Sequence, residues 1–128
     1  MNHNLMKLEP GLYLVATPLG SARDITLRAL DILASADVLA AEDTRTARKL
    51  LDIHGVPLAG RRIIAYHDHS NAKDRKKVIH HVVEGKSVAY VSEAGTPLIA
   101  DPGYQLVVDV RREGLSVSAA PGPAACIA

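Results

Sequence analysis

Three short segments carry residue types that could do chemistry. The first is Glu42-Asp43-Thr44-Arg45-Thr46, with Arg48 and Lys49 close behind. A carboxylate there, Asp43 or Glu42, can orient or deprotonate a hydroxyl. Arg45, Arg48 and Lys49 can hold a phosphate backbone. The same residues also fit a plainer arrangement, an Asp or Thr N-cap followed by an exposed helical face. The second segment is SEAGTPLIADPG, twelve residues from Ser92 to Gly103. Connections between a strand and a helix usually take about two to six residues. Gly95, Pro97, Pro102 and Gly103 fix a shape and leave backbone groups bare, so a ligand can approach the main chain closely. Glu93 and Asp101 add acceptors for hydroxyls or an ammonium group. The third segment, ATPLGSARD, has Gly20 but neither a GxGxxG pattern nor a Lys-Ser/Thr pair. It is no phosphate cradle. A ligand without phosphates, met by shape and backbone hydrogen bonds, suits it, as does a simple tight turn at Pro18 and Gly20.

Other reactive side chains point to less. His67 and His69 form an HxH pair with no further strong ligand set, so no metal is expected. His80 and His81 read as helix-surface residues, and Cys126 as a small buried hydrophobe.

The elements that must position these segments follow from periodicity. Gly11–Ala16 (GLYLVA) is a short apolar run between Pro10 and Thr17-Pro18, read as a buried strand. Asp24 offers an N-cap for a helix to about Ser35, with Ile25, Ala29, Leu30 and Leu33 at helical spacing. Asp37–Ala41 is the second strand. Thr44–His54 is a helix stopped by Gly55. Ile63–Tyr66 is the third strand. Ser70 or Asn71 caps a helix to about Glu84, with Lys73, Arg75, Lys76 and Lys77 as its basic face and Gly85 as its stop. Ser87–Val91 is the fourth strand. Gly103–Glu113 is a helix ended by Gly114, and Leu115–Ala119 is the fifth strand. Strict β-α alternation argues for a parallel sheet, because each parallel strand needs a crossover. The fold class is therefore α/β, a five-stranded, mostly parallel sheet with helices on both faces. The polar, Gly- and Pro-rich loops then gather at the carboxyl ends of the strands, where open sheets bind ligands. The opposite-end loops, HGVPLAGR, EGK and REG, are ordinary turns.

Composition bounds the class. The chain has 128 residues, 48% hydrophobic and 23% charged, which is the size of one domain with a core. With no Phe, no Trp and four Tyr, aliphatic side chains must do most of the packing. A net charge of +1 predicts no strong general affinity for nucleic acid, although a local basic patch is compatible with it. One cysteine excludes a disulfide framework. The N-terminus lacks a signal-peptide core, and no run approaches the ~18 apolar residues of a membrane span. A cytoplasmic protein without membrane contact is expected. Residues 1–10 read as a tail, 11–120 as the α/β domain, and 121–128 as the start of a linker or helix into a further domain.

VATPLGSARDITLRALDILASADVLAAEDTRTARKLL, YVSEAGTPLIADPG and PGPAA together closely resemble the ribosomal RNA small subunit methyltransferase I family of the tetrapyrrole methylase superfamily. The resemblance runs from Gly11 to the end, and the first loop reads ATPLG where porphyrin and corrin methylases carry a GxGPGD-like sequence. It implies methyl transfer from S-adenosylmethionine to the 2′-hydroxyl of a cytidine in 16S ribosomal RNA. It also implies two α/β domains with the cofactor between them, this chain being the N-terminal, Rossmann-like one, and a homodimer. Cofactor contacts carried over by motif are Pro18, Leu19, Gly20, Ser92, Glu93, Ala94, Gly95, Thr96, Pro97 and Asp101, with Pro121 at the hinge. Asp43 and Glu42 fall on the catalytic side, with Asp43 as candidate base. Arg23, Arg45, Arg48 and Lys49 fall on the RNA side, where Arg28 could extend the patch. The family often has HEHN where this chain has His67-Asp68-His69-Ser70-Asn71, which changes reach and spacing there. The resemblance also suggests that the first and fourth strands are central. Two other readings stay open, a tetrapyrrole C-methylase of the same fold and a non-catalytic ligand-binding or dimerisation module.

Overall fold

A computed structural model describes residues 5–17, 25–66, 72–93 and 102–120. The elements are β1 (Gly11–Thr17), α1 (Leu27–Ser35), β2 (Val38–Ala41), α2 (Thr44–Ile53), β3 (Ile63–Ala65), α3 (Ala72–Val83), β4 (Ser87–Glu93), α4 (Pro102–Arg112) and β5 (Val117–Ala120). The strands form one sheet in the order β3-β2-β4-β1-β5, and every pairing is parallel. β1 and β4 are therefore adjacent and interior, as expected.

Side-chain alternation divides the core in two. Tyr13, Val15, Leu39, Ala41, Ala89 and Val91 join one cluster with residues of α1 and α2. Leu12, Ala40, Val88 and Tyr90 join the other with residues of α3 and α4. Strand order explains this split. From β1 the chain passes β4 to reach β2 and then moves outward to β3. It next runs back to β4 and past β1 to β5. Right-handed crossovers that travel in opposite directions lie on opposite faces.

The cluster under α3 and α4 answers the lack of Phe and Trp with two tyrosines. Tyr66 and Tyr90 are both buried and meet edge to face, with ring centroids 5.9 Å apart. The Tyr90 hydroxyl donates to the Tyr66 carbonyl at 3.0 Å, so its polar tip is satisfied inside the core. Tyr90 lies in register with Ala40, whose small side chain suits a neighbouring ring.

Helix ends follow local chemistry. α1 is capped by Thr26, whose Oγ1 accepts from the Ala29 N–H at 3.1 Å. The expected cap, Asp24, lies outside the described residues. Ile25, just before the cap, and Leu30 share one cluster, the spacing of a hydrophobic staple, which sets the helix start at Thr26. α4 closes at Gly114, φ +74°, with bonds from Gly114 N–H to Arg111 O and from Leu115 N–H to Val110 O. Gly55 and Gly85 close α2 and α3 by the same pair of bonds. This closure uses Leu115, so β5 begins at Val117, not at the expected Leu115. At the start of β1, a side chain on Gly11 would come within 2.9 Å of the Ser116 carbonyl oxygen, so β5 packs against bare backbone there.

Two polar ties fix the amino-terminal edge. Asp37 Oδ2 accepts from the Ser87 N–H at 3.0 Å and from its hydroxyl at 3.1 Å, while the Asp37 N–H donates to Ser87 Oγ at 3.0 Å. This joins the start of β4 to the residue before β2. Arg61 donates to the carbonyls of Leu33, Ala36, Pro57 and Leu58 at 2.7–2.9 Å. A cation at the carboxyl end of α1 also complements the helix dipole. Burial pulls the Arg61 guanidinium below its ordinary pKa, and Asp37 opposes that shift. The segment before β1 docks as well: the Met6 N–H donates to Ser35 Oγ at 2.9 Å and the Tyr13 hydroxyl to the Glu9 carbonyl at 2.7 Å.

Arg61→Met should lower unfolding free energy by about 2–3 kcal/mol, because charged hydrogen bonds are lost and carbonyls are stranded. Arg61→Lys should recover only part of it, since an ammonium cannot reproduce the planar fork. Urea denaturation checks this, and equal stability of all three proteins would remove Arg61 from this role.

Candidate functional site

β1 and β4 pair in register from Gly11↔Ser87 to Thr17↔Glu93. Beyond that last pair their paths diverge. The chain leaving β1 leads to α1 on one face, and the chain leaving β4 leads to α4 on the other. Two adjacent parallel strands with connections to opposite faces create a crevice at their carboxyl ends, where open α/β sheets bind ligands. Both long segments singled out from the sequence depart from this point. Ser92, half-buried and in register with Ala16, is the described residue of that group. For Glu93 the backbone alone is described. Pro18, Leu19, Gly20, Arg23, Ala94, Gly95, Thr96, Pro97, Asp101, Pro121 and Cys126 lie outside the described residues, as do His67, Asp68, His69, Ser70 and Asn71.

The paired carboxylates stand at the next strand end. The Glu42 N–H donates to the Val91 carbonyl at 3.1 Å, which extends the β2–β4 ladder past the end of β2 and sets Glu42 beside the last turns of β4. The Tyr66 N–H donates to the Ala41 carbonyl at 2.9 Å, so the end of β3 flanks the same spot. Glu42 is half-buried at the carboxyl edge of the sheet.

Asp43 turns toward α2. As N-cap, its Oδ1 accepts from the Arg45 N–H at 3.0 Å and the Thr46 N–H at 3.3 Å. The Thr46 N–H is the main cause that holds its carboxyl below the usual range, and the Arg45 N–H adds to it. Such a carboxylate is ionised and well placed to accept a hydrogen bond, but weakened as a base. The cap orients the helix that carries Arg45, Arg48 and Lys49. All three are exposed at i, i+3, i+4 spacing, while Ala47, Leu50 and Leu51 are buried beneath them. Arg28 is also exposed and donates to Met6 Sδ at 3.5 Å.

Two expectations need correction. Arg75 does not share the basic face of α3. It bridges to Asp109 on α4, and Gln105 Nε2 donates to the other Asp109 oxygen at 3.0 Å. The Tyr66 hydroxyl lies against the same guanidinium, whose pKa it raises, while burial raises that of the tyrosine itself. The helices must pack on each other over one sheet face, and an ion pair satisfies the polar groups caught between them. Nor is His81 a plain surface residue. It is half-buried, and its Nδ1 is shut from solvent with no hydrogen-bond partner. No spacing signal marked either feature, because each depends on how α3 sits against its neighbours. Among the described residues, no group of three or more His, Cys, Asp or Glu gathers as a metal site, and no helix is long and apolar enough to cross a membrane.

These features define an open parallel α/β domain with a topological switch between β1 and β4 and an acidic strand end beside it. Residues 11–128 match the Tetrapyrrole (Corrin/Porphyrin) Methylases, and the chain belongs to that family. It is 52% identical over 121 residues to ribosomal RNA small subunit methyltransferase I of Mesorhizobium japonicum, a match covering 94% of this chain and 40% of that protein. The proteins of the same name from Halalkalibacterium halodurans and Escherichia coli O157:H7 are 44% and 46% identical, each over 91% of this chain and 39% and 40% of their own. The chain thus spans about 40% of the length of these relatives. Among solved structures, a cobalt precorrin-4 methyltransferase superposes with a TM-score of 0.69 at 22% identity, covering 87% of this chain and 45% of that one. A uroporphyrin-III-C-methyltransferase from Thermus thermophilus gives 0.66 at 25% identity, covering 88% and 48%. A diphthine synthase gives 0.66 at 18%, covering 87% and 43%. At these low identities the likeness is one of fold.

Asp43→Ala should cost about 1 kcal/mol at neutral pH through loss of the cap. The sign of its pH dependence follows from the lowered pKa. The stabilisation is present above the unfolded carboxyl value, near 3.9, and is lost as pH falls through the lower folded value. Wild type and Asp43→Ala should therefore converge in strongly acid urea titrations. A difference that stays constant to the acid limit would contradict the charged cap.

Proposed function

We propose that this chain is the N-terminal domain of an S-adenosylmethionine-dependent methyltransferase acting on the 2′-hydroxyl of a cytidine in 16S ribosomal RNA. The observation that carries the reading is the contrast in likeness. Relatives named for ribosomal RNA methylation are 44–52% identical over nine-tenths of the chain, whereas the corrin and porphyrin methylases cited are 22–25% identical.

The local chemistry fits that donor. The segments that follow β1 and β4 are rich in Gly and Pro and carry acidic residues but no phosphate-binding motif, which suits an ammonium- and sulfonium-bearing ligand. Pro18, Leu19, Gly20, Ser92–Pro97 and Asp101 would hold it, with Pro121 at the hinge. When bound, S-adenosylmethionine supplies a methyl group on a good leaving group. The chain's own task is then to place the ribose hydroxyl and ease removal of its proton. Glu42 and Asp43 stand on the acceptor side. Asp43 is the candidate base, and because its carboxyl is ionised and hydrogen-bonded, orienting the hydroxyl is the larger part of that role. Arg45, Arg48 and Lys49, with Arg23, would hold the RNA backbone. A cytoplasmic homodimer engaging the small ribosomal subunit completes the reading.

The intact polypeptide containing this domain should transfer methyl label to undermethylated small ribosomal subunits. Label appearing only on a porphyrinogen would contradict this and favour the C-methylase alternative. Cofactor binding without any methyl transfer would favour a ligand-binding module. In that polypeptide Asp43→Asn keeps the cap, since Asn and Asp cap equally well. It should lower turnover by about 10²-fold while cofactor affinity stays nearly unchanged. Unchanged turnover would take Asp43 out of catalysis. The 128-residue chain alone should bind S-adenosylmethionine weakly, and tight stoichiometric binding by calorimetry would contradict a two-domain cleft.

A further inference from the structure

A second basic surface lies outside the crevice. Among the described strands β3 lies at the edge of the sheet and pairs with β2. α3 leaves this edge to reach β4, and between helix and edge runs an open groove of about 690 Å³. Its walls are Lys73, Lys76, Lys77, His80 and His81, with Ile64 of β3 among them. A second hollow of about 320 Å³ shares Ile64 and His81 and adds Arg62, Val38 and Asp37. The shared residues make the two hollows neighbours along one path.

The charge on this path is concentrated. Lys73, Lys76, Lys77 and His80 follow i, i+3, i+4, i+7 spacing and are all exposed, while Val78, Ile79 and Val82 are buried in the core. Arg62 extends the cationic row. Among the carboxylates nearby, Asp37 is held by Ser87 and Glu84 pairs with His80 at 2.9 Å. Asp74, on the same helix, is partnered. Four permanent cations thus face one engaged carboxylate along the linked hollows. In a chain of net charge +1, this is a local excess. The His81 Nδ1, buried without a partner, adds an unmet hydrogen-bonding group where the hollows join.

We infer that the α3–β3 groove is a track for the phosphate backbone of the RNA substrate, separate from the crevice that would hold the methyl donor. This inference rests on the RNA-methylation reading above. Lys73 to His81 spans about 12 Å of helix, long enough to meet successive phosphates of one strand. Lysines at intervals match a repeating negative charge. Among the described residues the groove walls carry no Phe, Tyr or Trp, and their lysines and Arg62 outnumber the two imidazoles, so the contact is chiefly to backbone. Phosphate contacts set register without reading sequence. The track would therefore position the strand and leave selection of the cytidine to the crevice.

The test uses the intact polypeptide, a labelled single-stranded RNA oligonucleotide and anisotropy over a salt series. Lys73→Ala/Lys76→Ala/Lys77→Ala should flatten the plot of log affinity against log salt by about 2, from about 0.7 per phosphate contact. A control of equal charge change away from the groove, Lys7→Glu/Arg111→Ala, should keep the wild-type slope. A groove variant with the wild-type slope, or a control that loses as much, overturns the track. Methyl transfer to small subunits, measured in parallel, separates the two claims. If wild type methylates RNA and the groove variant keeps its KM for subunits, the track fails and the activity stands. If wild type transfers no methyl to RNA while the slope still depends on the groove, the activity reading fails and the RNA track stands.

Discussion

Parallel pairing of β1 with β4 joins strands far apart in the chain, and the remaining elements are arranged around that junction. Its register decides which side chains face α1 and α2 and which face α3 and α4. A one-residue slip of β1 would exchange Leu12 with Tyr13 between the layers, and a slip of β4 would exchange Val88 and Tyr90 with Ala89 and Val91. Independent contacts oppose such a slip. Ser87 is locked to Asp37 at the start of β4, and Gly11 admits the Ser116 backbone only because it has no side chain. The same pairing delivers Thr17 and Glu93 side by side at the carboxyl edge. A structural constraint at one end of the strands thereby places a candidate ligand crevice at the other.

Charge is distributed in keeping with this geometry. Acidic groups collect at the end of β2, where Glu42 borders β4 and Asp43 caps α2. Exposed cations collect on α2 and along α3 beside the β3 edge. Half-buried cations serve the fold instead. Arg61 gathers carbonyls at the end of α1, and Arg75 ties α3 to α4 and to Tyr66. The distinction matters for function, because only the exposed cations can exchange solvent ions for phosphate.

Much of the fold was legible in the sequence. Short β-branched runs bounded by Gly and Pro mark the strands, and Gly55, Gly85 and Gly114 mark helix ends that the structure closes with paired backbone bonds. Parallel alternation also implied the clustering of loops at one edge. The less legible features are tertiary. Thr26 replaces Asp24 as cap because Ile25 is buried before the helix begins. Arg75 looks like its lysine neighbours in sequence, and only the approach of α4 diverts it to Asp109. Asp43 presented both a catalytic and a capping reading. The structure displays the cap. The α3–β3 groove needed the strand order, since nothing local says that β3 is an edge.

The central claim is that the methyl donor binds at the carboxyl ends of β1 and β4. Amide hydrogen exchange of the intact polypeptide, with and without S-adenosylmethionine, tests it most directly. The account predicts new protection at Ala16–Gly20 and Ser92–Pro97, with little change at the opposite edge around Lys86 and Leu115. Protection confined to the α3–β3 groove, or none at the two strand ends under saturating cofactor, would contradict it.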